Sequence, residues 1–218
     1  MDFNKLLNQV LGSVHGAGKP AARSSANPKD LLMKVGGAAA ASSLLSGILK
    51  KRNTQKWARA GSMAALGALA YHAYQNWQSQ KNNQNQPAAA AAPLPPSAFE
   101  PSGAAAETAG RVILRTMIAA AAADGLIDDE ERRLISSEGG DDPELQQWLA
   151  AEAARPATPA EIAAEIGQNT ALAAEAYLAA RMVCGDLARK EIVFLSQLSH
   201  ALKLDEALVD NLEQQAGF

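Results

Sequence analysis

Helix punctuation recurs so regularly between residues 107 and 215 that it constrains the fold more than any other feature of the chain. Thr158-Pro159-Ala160-Glu161 offers an N-cap hydroxyl, a proline at the first helical position and a reciprocal glutamate, with Gly167 as the stop. Asp142-Pro143-Glu144 and Asp205-Glu206 open helices in the same way. Between these signals apolar residues return every three or four positions, and no segment alternates as a strand does. The pattern predicts seven helices, at about 107–123, 128–137, 142–154, 158–167, 170–184, 188–201 and 205–215. Alanine is abundant and large side chains are few, which suits closely packed helices. The expected core is Leu114, Met117, Ile118, Ile135, Trp148, Leu149, Leu178, Met182, Phe194, Leu195, Leu198, Leu202 and Leu208. That is enough apolar surface for a domain of about 110 residues to fold alone. The fold class expected is all-α, a seven-helix bundle over residues 106–218.

Charge divides the chain. Residues 1–105 carry a formal net charge of +8 and residues 106–218 one of −11, so the mild acidity of the whole hides two opposed parts. The basic part suits anionic phosphate such as lipid headgroups, whereas the folded acidic part excludes nucleic acid as a partner. The single cysteine, Cys184, excludes an intramolecular disulfide. Residues 1–14 do not read as a cleavable signal, because Asp2, Asn4, Lys5, Asn8 and Gln9 interrupt them.

The basic part has its own organisation. Within residues 1–30, Phe3, Leu6, Leu7, Val10 and Val14 share one face of a short amphipathic helix that Asp2 would cap and that could lie on a membrane surface. Residues 31–78 hold two apolar stretches, 31–49 and 57–77, separated by Lys50-Lys51-Arg52. Each approaches the length of a membrane span, but Ala, Gly and Ser dominate and Lys34 interrupts the first. Small residues recur at spacing four, as in Gly37/Ala41 and Ala60/Ala64/Ala68, and Trp57, Tyr71, Tyr74 and Trp77 stand where interfacial aromatics would. Two readings follow, a membrane-associated helical hairpin or a soluble Ala-rich one. Residues 79–105 turn Gln/Asn-rich, then Ala-rich, then Pro-rich, and read as a disordered linker.

One segment carries chemistry. Asp124-Gly125-Leu126-Ile127-Asp128-Asp129-Glu130-Glu131 places five carboxylates around a turn. Gly125 would allow a left-handed backbone, Ile127 would pin the loop to the core, and Asp124, Asp128 and Glu131 would converge as oxygen ligands for a hard divalent cation, calcium best. Asp128 and Glu131 equally form a capping box, and the two roles can coexist. Sliding the domain by sixty residues aligns Gly125 with Gly185, Ile127 with Leu187 and Glu131 with Glu191, so the bundle reads as two related helical hairpins packed face to face.

The stretch from Ala122 to Arg132 resembles the A-D-G-x-I-x-x-x-E signature of the TerB-like family, named for tellurite resistance. The order of anchor, linker and domain is similar to its YebE-type inner-membrane branch. The resemblance implies an all-helical domain whose acidic loops bind divalent metal, in envelope or stress-response assemblies. It puts Asp124, Asp128 and Glu131 in a first metal loop. The second loop departs from the branch pattern at Gly185 and Leu187, leaving Asp186 and Glu191 as its candidates. The location implied is a bacterial inner membrane, with the helical domain on the cytoplasmic side.

These features point to a membrane-associated, non-enzymatic module that binds a divalent cation or an as yet unspecified protein partner. A soluble homo-oligomeric scaffold is the alternative; a metal-dependent hydrolase would need a base and an oxyanion donor that the sequence does not offer. His15, His72 and His200 are too scattered for a shared site, and Cys184 reads as a buried apolar residue.

Overall fold

The computed structural model describes residues 1–16, 62–83, 93–125, 127, 129–184 and 187–218, and every regular element among them is helical. The fold is therefore all-α. Nine α-helices are described: α1 (Phe3–Gly16), α2 (Met63–Asn83), α3 (Ala104–Ala121), α4 (Asp129–Ser137), α5 (Pro143–Ala154), α6 (Pro159–Ile166), α7 (Thr170–Val183), α8 (Arg189–Ala201) and α9 (Glu206–Ala216). A 3-10 turn, Pro96–Phe99, precedes α3.

Helices α3 to α9 fall within a few residues of the seven read from sequence, because their caps act as the sequence indicates. The Asp142 carboxylate accepts from the Glu144 and Leu145 N–H groups, and Asp205 accepts from Ala207. Thr158 and Glu161 cap each other reciprocally. Asn169 adds a cap at α7 by accepting from Leu172 at 3.1 Å.

Helix α7 is the axis of the molecule: every residue from Ala171 to Cys184 is buried. It packs against α2, α3, α6, α8, α9 and the 3-10 turn. Eleven of the thirteen expected core residues are buried, and only Trp148 and Leu202 are half-exposed. Arg115 of α3 bridges Glu152 of α5 at 3.1 Å and Glu165 of α6 at 2.7 Å, tying three helices on one side.

The N-terminal elements enter the same core. Helix α1 is capped by Asp2, whose carboxylate accepts from Lys5 N–H at 2.8 Å, as its sequence indicates. Its apolar face, however, does not lie open for a membrane. Phe3, Leu6, Leu7, Val10 and Leu11 are buried, α1 packs along α3, and Phe3 meets Trp148 edge to face at 4.8 Å. Glu107 of α3 accepts the Phe3 N–H at 2.7 Å, so a side chain a hundred residues away completes the start of α1.

Residues 63–77 of the second apolar stretch likewise differ from a membrane segment. Met63, Leu66, Gly67, Ala70, Ala73 and Tyr74 form one helical face of α2, buried against α7 and α9. Ala64 and Ala68, the small-residue row, face outward. The aromatics have internal partners: Tyr71 and Tyr74 pack on Phe99, and Trp77 Nε1 donates to Asp205 at 3.0 Å. No described helix is long and apolar enough to cross a membrane. The stretch 31–49 and Lys50-Lys51-Arg52 lie outside the described residues.

The linker reading is corrected where the chain is described between 93 and 103. Phe99 is 1% exposed, and burying that ring fixes the Pro-rich segment as a strap across α2 and α7. Composition pointed to disorder because one aromatic among prolines and alanines hardly alters an average.

Candidate functional site

Helix α3 ends at Ala121 and unwinds through right-handed turns, with Ala123 N–H donating to Ala120 and Gly125 N–H to Ala122. Gly125 does not adopt the left-handed conformation expected of it, because these short-range bonds carry the chain out of the helix without a reversal of hand. Ile127 is 6% exposed and pins the loop to the core, as read from sequence. Arg132 Nη2 donates to the Ile127 carbonyl at 3.4 Å and closes the loop from the α4 side.

Helix α7 ends beside it. Cys184 is fully buried, with its Sγ 4.0 Å from the Ala120 carbonyl, and Lys190 Nζ donates to the Asp124 carbonyl at 3.2 Å. The two loops aligned by the sixty-residue shift thus meet at one end of the bundle. They are not equivalent. Ile127 is buried, whereas its counterpart Leu187 is 38% exposed and holds φ at 49°, a left-handed conformation that costs a non-glycine residue about 1–2 kcal/mol.

Leu187 precedes α8, which itself exposes two large apolar side chains, Ile192 and Val193, at 51% and 49%. Beside them is a shallow groove of about 380 Å³ lined by Ala123, Arg189, Lys190, Val193, Phe194 and Gln197. Two adjacent cations therefore flank apolar surface at the edge of an acidic domain. The acidic loop is the more conspicuous feature of the sequence, and these exposed apolar residues are a weaker signal. The available signal was Ile192-Val193-Phe194-Leu195, where a helix can bury only part of four consecutive apolar residues.

Of the residues expected to hold a cation, Asp124 is exposed on the turn that Lys190 clasps. Asp128 and Asp186 lie outside the described residues, and Glu131 is described by its backbone alone, in the first turn of α4. Glu191 is 1% exposed and accepts the Ala188 N–H at 2.8 Å, the glutamate half of a capping box that Ala188 has no side chain to reciprocate. Among the described residues no three His, Cys, Asp or Glu side chains gather closely enough to hold a metal ion.

Residues 34–216 match the family described as "Protein of unknown function (DUF533)". The chain belongs to the DUF533 family. Searches of curated proteins and of solved structures gave no match. The DUF533 match runs through α2, the 3-10 turn and the seven helices that follow, the same elements that share one core.

This DUF533 chain also buries the two charges of α7, and it treats them differently. Arg181, 3% exposed, pairs with Glu213 at 3.3 Å, donates to the Cys184 carbonyl at 2.9 Å and stacks on Phe218. Tyr177 donates to the same Glu213 at 2.9 Å, and burial together with that carboxylate pushes its phenol strongly upward. Glu175 has no such companions. It is 1% exposed, its Oε1 has no hydrogen-bond partner among the described residues, and burial raises its carboxyl to about 8. The signal lay in Ala171-Leu-Ala-Ala-Glu-Ala-Tyr-Leu-Ala-Ala180: a helix apolar all round is buried, and so are its charges.

Proposed function

We propose that this chain is a non-enzymatic binding module, associated with a membrane through its basic N-terminal region, whose recognition end is the pair of loops after α3 and α7. The observation that carries the reading is the exposure of Leu187, Ile192 and Val193 in and just before α8, beside a groove that Arg189, Lys190 and Val193 line. A strained, exposed leucine is costly to keep in a merely structural loop, and strain of this kind concentrates at functional surfaces. Such a surface suits a protein partner that brings apolar side chains with carboxylates beside them.

In this reading a divalent cation, calcium best, binds Asp124, Asp128 and Glu131, as the TerB-like resemblance implies. The Lys190 contact with the Asp124 carbonyl makes the acidic loop a neighbour of the groove, so occupancy of one bears on the other. Asp186 and Glu191 form the weaker site, because Glu191 already caps α8. The envelope or stress-response setting and the inner-membrane location belong to the same proposal and rest on the resemblance and on the basic cluster Lys50-Lys51-Arg52.

A two-dimensional NMR titration with calcium, repeated on Asp124→Asn, tests it. Saturable shifts at residues 124–131 that extend to Arg189–Phe194, and vanish in the variant, are expected. Absent or diffuse shifts would reduce the acidic loop to helix capping.

A further inference from the structure

Three elements meet at Glu175. Gly67 of α2 lies so close to the 3-10 turn that a Cβ built on it would stand 2.0 Å from the Phe99 carbonyl oxygen and 3.2 Å from Glu175 Oε1. Both oxygens thus line the seam at Gly67, and Glu175 Oε1 has no hydrogen-bond partner there among the described residues. An ionised carboxylate beside a carbonyl oxygen in an apolar seam is repelled and desolvated, whereas a neutral carboxyl has a proton to offer that oxygen. We propose that Glu175 is a protonation switch: neutral, it holds the Pro96–Phe99 strap and the adjoining turn of α2 onto α7, and loss of its proton to bulk water releases the strap.

The other charged and titratable groups of the elements packed on α7 leave this role to Glu175 alone. On α2, Tyr71 and Tyr74 pack on Phe99, His72 lies against Tyr71, and Lys81 pairs with Asp205. On α3, Arg111 and Arg115 engage Glu165 of α6, while Glu161 caps that helix. On α8, Arg189 and Lys190 are exposed at the groove and Glu191 caps the helix. Glu213 of α9 is taken by Arg181 and Tyr177, and Glu100 follows the turn in an exposed position. None of them perturbs the Glu175 carboxyl, which burial alone raises to about 8. The device is local, since the strap is a short element held by one ring.

The sign follows from linkage. When the strap opens, water reaches Glu175 and its carboxyl returns toward the ordinary value of 4.5. The closed form is therefore most favoured below that value and loses ground as pH rises toward about 8. Between pH 6 and pH 9 the closed-to-open ratio falls on the order of a hundredfold.

Hydrogen exchange of the full chain, read by mass spectrometry at pH 6 and pH 9 and corrected for intrinsic rates, tests the proposal. Protection of peptides over 93–103, taken relative to peptides within α7, should fall on the order of a hundredfold in the wild type. In Glu175→Gln, which keeps a donor for the Phe99 carbonyl and cannot ionise, the ratio should stay constant. A wild-type ratio that does not change with pH, or an equal fall in both proteins, would overturn the switch. A flat wild-type ratio overturns the switch even if the variant fails to fold.

Discussion

Replacing Gly67 with alanine sets two effects of opposite sign against each other. In a helix interior, alanine is favoured over glycine by about 1 kcal/mol, so α2 taken alone should gain stability. Its position against the strap reverses this, because the added Cβ would stand 2.0 Å from the Phe99 carbonyl oxygen, a backbone atom that cannot swing aside. If the seam holds together, overpacking costs roughly 1–3 kcal/mol. If the strap lifts instead, burial of Phe99 is lost, worth about 1.5–3 kcal/mol, together with its ring contacts to Tyr71 and Tyr74. Either route cancels the helical gain and leaves a net loss of up to about 2 kcal/mol. Urea unfolding followed by far-ultraviolet circular dichroism reads this as a lower midpoint at unchanged slope. Gly125→Ala is the control, because it meets nothing within 4 Å and needs no positive φ; it should cost less than about 0.5 kcal/mol. A Gly67→Ala protein more stable than the wild type by the full helical gain of about 1 kcal/mol would refute the close approach of strap and helix.

Other consequences follow from single contacts. Glu107→Ala removes the acceptor of the Phe3 and Asn4 N–H groups and should cost about 1 kcal/mol; amide exchange should quicken over residues 3–11 and stay unchanged in α7, and uniform quickening would contradict the capping role. The Lys81 ammonium, with help from the Trp77 N–H, holds the Asp205 carboxyl below its ordinary value of 3.8. Its contribution to the α2–α9 contact is therefore present above that value and is lost as pH falls through the lowered one. The Trp77 indole N–H resonance should report a midpoint below the ordinary aspartate range and lose the transition in Asp205→Asn; a midpoint at the ordinary value would contradict the pairing.

How much of this was legible in sequence depends on the range of the interaction concerned. Helices α3 to α9 were readable because Asp142, Thr158 and Asp205 act on N–H groups two or three residues away. The sixty-residue alignment paired the two loops in sequence, but neither their meeting nor the opposite fates of Ile127 and Leu187 were readable, since both residues are simply apolar in a one-dimensional pattern. Helix α2 looked like a marginal membrane segment because Ala, Gly and Tyr fit a tight helix seam and an interfacial belt alike. Only the partners decide, and Phe99 and Asp205 are distant in the chain. Trp148 was expected deep in the core and is half-buried instead, with Phe3 from the far end of the chain packed on it.

The central claim is that α1, α2 and the strap belong to the same core as the seven helices after them. Comparing the full chain with a fragment of residues 104–218 in equilibrium urea unfolding tests this most directly. The fragment lacks Leu7, Leu11, Leu66 and Phe99, all at most 1% exposed in the full chain. At about 1.5–3 kcal/mol each, their loss amounts to roughly 6 kcal/mol or more, comparable with the whole stability of a domain. The account predicts a fragment with no cooperative transition, or one with a far lower midpoint than the full chain. A fragment that unfolds cooperatively at the same midpoint would contradict it and restore an independent domain with a loosely attached N-terminal region.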